Sequence, residues 1–258
     1  MFIPLHDQNS LVNIRLQYVT LLLIAINVLV WLFFTTASGG DEGILSGLYV
    51  SYGYIPAVAG DIKEIPAELA VLPVEASYIT YAFFHANFMH LAGNMLFLWV
   101  FGDNVEDAMG HFRFLIFYLL CAAIAAYSHG IVAPTSESPL IGASGATSGI
   151  VGAYLMLHPK VKVWVLVMGR IPLRLSAFWV LGAWILFQVY SLVAFYDSDV
   201  SWASHVGGFI AGALLILVMK RSDVPLFDRE MPKPAVSGKT AAETVKTREN
   251  PRKWGRGS

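Results

Sequence analysis

The sequence predicts an all-α, polytopic membrane protein built as a bundle of six transmembrane helices. Three observations predict it. Of its 258 residues, 56% are hydrophobic and only 14% charged, whereas soluble domains are nearer to roughly a quarter charged. The apolar residues fall into six runs that reach, or approach, the length needed to cross a hydrocarbon core ~30 Å thick. Apart from Arg113 at the start of the third run, the charges lie outside those runs. A soluble protein with buried helices would have to hide more apolar surface than one core of this size accommodates.

Residues 1–15 read as a short cytoplasmic segment. They lack the basic stretch, apolar core and small-residue cleavage site of a secretory signal. The first span, Leu16–Thr36, holds no charge. The loop Ala37–Tyr78 is rich in Gly and Pro and carries six acids. Its Tyr49, Tyr52, Tyr54 and Leu69 suit either a segment lying on the membrane surface or an ordinary structured loop. The second span, Phe88–Phe101, is short and bears His90 and Asn94. A loop, Gly102–His111, follows with Asp103, Glu106 and Asp107. The third span is Phe112–Val132; its Cys121, the one cysteine, reads as a small buried apolar residue. Spans four to six are Ser144–Leu157, Leu175–Tyr196 and Ala203–Met219. Spans four and six carry Gly145-x-x-x-Gly149 and Gly208-x-x-x-Gly212, a spacing that lets membrane helices approach closely. The six-helix core is therefore expected over residues 16–219. Residues 220–258 hold ten Lys/Arg against five acids, and read as a disordered cytoplasmic tail. Acids mixed among the bases and a lack of interleaved aromatics argue against a nucleic-acid partner.

Loop charge sets the topology. Lys160, Lys162, Arg170 and Arg174, with no acid among them, mark the loop after span four as cytoplasmic. The acidic first loop, Glu137, Asp197 and Asp199 fall on the other side. Both termini are then cytoplasmic, and spans two, four and six enter from outside. His90 and Asn94 in the first turns of span two, Ser144 at the start of span four and His205 at the start of span six share one shallow depth.

Polar groups within spans are costly, so each needs a partner or a function. In Gly142-Ala143-Ser144-Gly145, a serine stands between glycines where a loop becomes a helix. Glycine permits the unusual backbone angles of a nucleophile-presenting turn, and a helix N-terminus suits an oxyanion. The alternative is a serine that merely caps the helix. His205 can act as the base that serine requires; the alternative is a hydrogen-bonded interfacial histidine. Spans four and six hold no Asp or Glu, so any third orienting group is uncharged or comes from a loop, and a dyad is expected. His90 and Asn94, four residues apart, share a helix face and suit two oxyanion donors. His85 with His90 could begin a metal site, but no third ligand stands at metal-motif spacing.

The blocks His85-Ala-Asn-Phe-Met-His90-Leu-Ala-Gly-Asn94, Gly142-Ala-Ser144-Gly145 and His205-Val-Gly207-Gly208, in this order on spans two, four and six, resemble the rhomboid family of intramembrane serine proteases. The resemblance covers residues 16–219. It implies a Ser144–His205 dyad and an oxyanion site made by His90, Asn94 and the Ser144 backbone, with Gly142, Gly145 and His85 in support. It further implies a water-filled cavity opening outward, no cofactor or metal, and transmembrane protein substrates cut near their outer ends, often at small residues beside helix-weakening ones. Two positions depart from the family. Ser148 stands where many bacterial members have a tyrosine that packs on the histidine, and the first loop lacks a Trp-Arg pair. Two other functions compete. A non-proteolytic rhomboid-like protein that binds membrane clients would have lost the serine or the histidine. A transporter would carry ionisable groups deep in its spans. Trp31, Trp99, Trp164, Trp179, Trp184 and Trp202 include interface anchors. The lack of targeting signals fits a bacterial inner membrane. Neither the substrate nor the oligomeric state is legible.

Overall fold

The computed structural model describes residues 2–167, 169–194 and 200–227. The chain runs β1 (Phe2–Asp7), α1 (Tyr18–Ala37), α2 (Glu42–Tyr52), α3 (Pro56–Ala59), α4 (Ser77–Thr80), α5 (Phe88–Met109), α6 (His111–Val132), α7 (Ser144–Leu157), β2 (Lys162–Val167), β3 (Ile171–Ser176), α8 (Ala177–Ala194) and α9 (Trp202–Met219). Among the described residues four helices, α1, α6, α8 and α9, are long and apolar enough to cross a membrane. The apolar α7 is shorter, at 14 residues. The 22-residue α5 carries polar and acidic side chains from His90 to Asp107. The expected helical membrane fold is therefore present. The Asp197, Asp199 and Tyr196 positions and most of the basic tail lie outside the described residues.

Helix α7 is the axis of the bundle. Eleven of its residues are buried, and it is sandwiched between α5, α6 and α9. The small-residue spacing does what membrane packing requires of it, because lipid tails give apolar side chains no reason to leave them and close backbone contact must supply the attraction. A Cβ on Gly208 would stand 2.0 Å from the Gly145 carbonyl oxygen, and one on Gly212 1.9 Å from that of Gly149. Cys121 from α6 fills the other side, with its Sγ 2.5 Å from a Cβ placed on Gly149. It is buried, as its apolar surroundings predict.

Two sequence expectations are corrected. Asp103, Glu106 and Asp107 lie in the last turns of α5, not in a loop. Glu106 and Asp107 are tolerated there because they satisfy backbone N–H groups that would otherwise be orphaned. Glu106 accepts from Val19 N (3.0 Å), Thr20 N (2.8 Å) and Thr20 Oγ1 (2.7 Å), and so caps α1 from a neighbouring helix. Asp107 accepts from the N–H groups of Val12, Asn13 and Ile14. The bundle is also not purely helical. β1, β2 and β3 form an antiparallel sheet in that order, joining residues 2–7 to the hairpin that the sequence reads as a basic loop. In β2 the burial alternates, with Val163 and Val165 inward and Lys162 and Trp164 outward, as a half-buried strand requires. Asp7 anchors the sheet to the bundle by accepting from Tyr154 Oη at 2.6 Å and Asn104 Nδ2 at 3.1 Å.

The first loop is a folded layer at the opposite end. Tyr54 and Leu140 exchange both backbone hydrogen bonds (3.0 and 2.8 Å), which ties that loop to the chain just before α7. Tyr52 stacks on Phe84 with ring centroids 4.9 Å apart, and Thr80 Oγ1 donates to Tyr52 O. Backbone pairing and aromatic contacts thus hold the loop without a Trp-Arg pair.

Candidate active site

The site is built where α5, α7 and α9 begin. Each start is positioned by local chemistry. Asn87 caps α5, its Oδ1 accepting from His90 N at 2.9 Å, which fixes the first turn that carries His90. Ser201 caps α9, its Oγ accepting from Ser204 N at 3.3 Å, one residue before His205. The turn into α7 is held from outside the helix. Gly142 N donates to Tyr81 O at 2.9 Å, and Ala143 N donates to His85 Nε2 at 3.4 Å.

Gly142 is the position where glycine is needed. Its φ is +115°, a conformation L side chains rarely adopt. There is also no room for a side chain, since a Cβ would stand 2.5 Å from His90 Nε2 and 3.6 Å from Asn94 Nδ2. The backbone just ahead of Ser144 is therefore pressed against His90 and in contact with Asn94.

Ser144 is the first residue of α7, and Ala143 occupies the cap position with no side-chain capping bond. The serine is thus not a cap. Its Oγ lies 2.9 Å from His205 Nε2. The other ring nitrogen, His205 Nδ1, lies 2.8 Å from Gln188 Oε1 on α8. An Nδ1–H donated to that amide oxygen leaves the Nε2 lone pair free to accept the serine proton. The imidazole is flanked by Trp184, stacked at a centroid distance of 6.3 Å and an interplanar angle of 30°, and by Trp202, edge-on at 6.0 Å. Asn94 is buried, and its Nδ2 has no hydrogen-bond partner among the described residues. A buried amide donor without a partner is costly, and this one faces the turn that presents Ser144. Ser148, buried one turn below, donates to Ser144 O at 2.6 Å. His85 and His90 sit edge to face at 5.0 Å, and no group of three or more His, Cys, Asp or Glu among the described residues could hold a metal ion.

All seven residues picked from the sequence therefore converge. Ser144, His205, His90, Asn94, Gly142 and His85 surround one turn, and Gly145 makes the backbone contact that brings α9 against it. A rhomboid domain matches residues 75–222, more than half of the chain and every one of these positions.

The chain belongs to the rhomboid family.

Rhomboid relatives share modest identity with it. The chain is 31% identical over 148 residues to Rhomboid protein 1, mitochondrial, of Saccharomyces cerevisiae, covering 54% of this chain and 40% of that one. It is 26% identical over 217 residues to the putative rhomboid protease YdcA of Bacillus subtilis, covering 83% and 94%. To Rhomboid protease GlpG of Enterobacter sp. it is 23% identical over 194 residues, covering 75% and 60%. The chain spans about half the length of several of the curated relatives it matches, such as 40% and 58% of two of them. Rhomboid membership and the apolar helices together make this an integral, multi-pass membrane protein.

Three residues at the rhomboid site escape sequence reasoning. Gln188 is signalled only as an amide inside the apolar run Leu186-Phe-Gln-Val189, where a polar group in a span requires a partner. Trp184 and Trp202 belong to a set of tryptophans that the sequence reads only as including interface anchors, and their rings pack on His205. They bury the imidazole where Ser148 does not reach it, its hydroxyl being committed to Ser144 O.

Proposed function

We propose that this chain is an intramembrane serine endopeptidase that hydrolyses peptide bonds in or near transmembrane segments of other membrane proteins. The observation that carries this reading is the 2.9 Å contact between Ser144 Oγ and His205 Nε2, made across two helices by residues 61 apart in sequence. It lies within the reach a general base needs. His205 takes the Ser144 proton as Oγ attacks the scissile carbonyl. His90, Asn94 Nδ2 and the Ser144 N–H receive the negative charge that develops on oxygen, and the free amide of Asn94 gains the partner it lacks. His205 then gives its proton to the departing amine. Water, deprotonated by the same imidazole, cleaves the acyl-enzyme.

Loop charge supports an orientation with residues 2–15 and Lys160–Arg174 cytoplasmic and the dyad near the outer face. Substrates then reach the site from the bilayer and must unwind locally, so Gly or Pro near the cut lowers the cost. The test is cleavage of a membrane-anchored substrate in liposomes by wild type, Ser144→Ala and His205→Ala. Both variants should lose cleavage. Full activity in either would refute the dyad, and client binding by wild type without any cleavage would favour the non-proteolytic alternative.

A further inference from the structure

We infer that Gln188 is a positioning residue for His205, the third member of a Ser144–His205–Gln188 relay in which a neutral amide selects the reactive form of the imidazole. The inference rests on the protease reading above and assigns a role to a residue on a helix that supplies none of the reacting groups.

The observations are these. Gln188 is 4% exposed, while its sequence neighbours on α8, Phe187 and Val189, are 53% and 44% exposed. Gln188 therefore lies on the inward stripe of α8 with Leu181 and Ser191, while its chain neighbours face outward, and burying its amide there is costly unless it is bonded. Its Oε1 lies 2.8 Å from His205 Nδ1. A neutral imidazole carries its proton on one nitrogen only, and the hydrogen bond at the other end decides which. The amide oxygen accepts, so it favours the Nδ1–H form, whose Nε2 lone pair faces Ser144 Oγ. Without an acceptor at Nδ1, the Nε2–H form donates to Ser144 Oγ instead and cannot take its proton. Trp184, one turn before Gln188 on the same helix, stacks on the same ring, so α8 fixes both the plane of the imidazole and its tautomer. An uncharged partner is also consistent with the apolar setting, where a carboxylate would carry a desolvation cost that an amide avoids.

Two variants separate positioning from simple packing. Gln188→Leu keeps the volume and removes the acceptor. It should lower kcat by roughly 10- to 100-fold, part of the full worth of a general base, with KM within about twofold. Gln188→Glu keeps an acceptor and adds a charge that favours the imidazolium. It should retain turnover at high pH, and the acid limb of its pH–rate profile should move to higher pH. Cleavage of a membrane-anchored substrate in liposomes across pH 5–9, with thermal unfolding of each variant, reads all of this. A fall in kcat for the leucine variant with a displaced acid limb for the glutamate variant supports the role. Wild-type kcat in Gln188→Leu, or an unmoved acid limb in Gln188→Glu, overturns it while leaving the dyad standing. Wild-type protein that neither cleaves nor labels at Ser144 with a phosphonate overturns the protease reading, and this one with it.

Discussion

The crossing of α7 and α9 sets the distance between Ser144 and His205, the proposed dyad, and Gly208→Ala tests that directly. Gly145 follows Ser144 in sequence, and Gly208 lies three residues after His205, so a wedge here sits within a turn of both. The added Cβ would stand 2.0 Å from the Gly145 oxygen, whereas ordinary contact begins at 3.4 Å, so the helices must part locally by about 1.4 Å. That movement stretches the 2.9 Å contact between Ser144 and His205 well past the ~3.2 Å limit for proton transfer. A misplacement of about 1 Å costs on the order of 100-fold in rate, and overpacking costs about 1–3 kcal/mol of stability. The assay is cleavage in liposomes alongside thermal unfolding in detergent, with Gly182→Ala on α8 as the control. A Cβ there meets nothing within 4 Å, and its intrinsic effect is up to about 1 kcal/mol in favour of the helix. Gly208→Ala should lose about 100-fold in kcat while Gly182→Ala keeps its activity. Equal activity in both would refute the argument that this crossing sets the dyad.

Other outcomes follow from the same geometry. Asn94→Ala should lower kcat by roughly 10- to 1,000-fold with little change in KM, the scale of one oxyanion donor; steady-state kinetics reads the split. Glu106→Ala leaves the N–H groups of Val19 and Thr20 without their acceptor, so thermal unfolding should show a loss of about 1–3 kcal/mol. Burial raises the pKa of Asp7 above its ordinary 3.8, against the opposing hydrogen bond from Tyr154. The folded state then holds this proton more tightly than the unfolded one. Asp7 accordingly favours folding most below the ordinary value, and that contribution is lost as pH rises through the raised one. Asp7→Asn should remove this falling component from a plot of melting temperature against pH, and an unchanged slope would contradict it.

Much of the site was legible because membrane burial makes polar residues conspicuous. Ser144, His205, His90 and Asn94 each stand out against apolar runs, and the alternation of loop charge alone predicts that they share one side. The glycine spacing on spans four and six was legible for the same reason, and the structure turns it into backbone contact. What escaped was chemistry without local periodicity. Gln188 is a single amide whose partner lies 17 residues away, and nothing in its own helix names that partner. Glu106 and Asp107 of α5 look like loop residues until α1 and the segment before it supply the N–H groups they bind. Residues 2–7 form a strand only because β2 offers an edge, and that pairing spans some 160 residues.

The most direct measurement of the central claim is mass spectrometry of the protein after reaction with a fluorophosphonate in liposomes. The account predicts one covalent adduct, on the peptide containing Ser144, which is lost in His205→Ala. An adduct that forms equally well without His205, or none in the wild type, would contradict it.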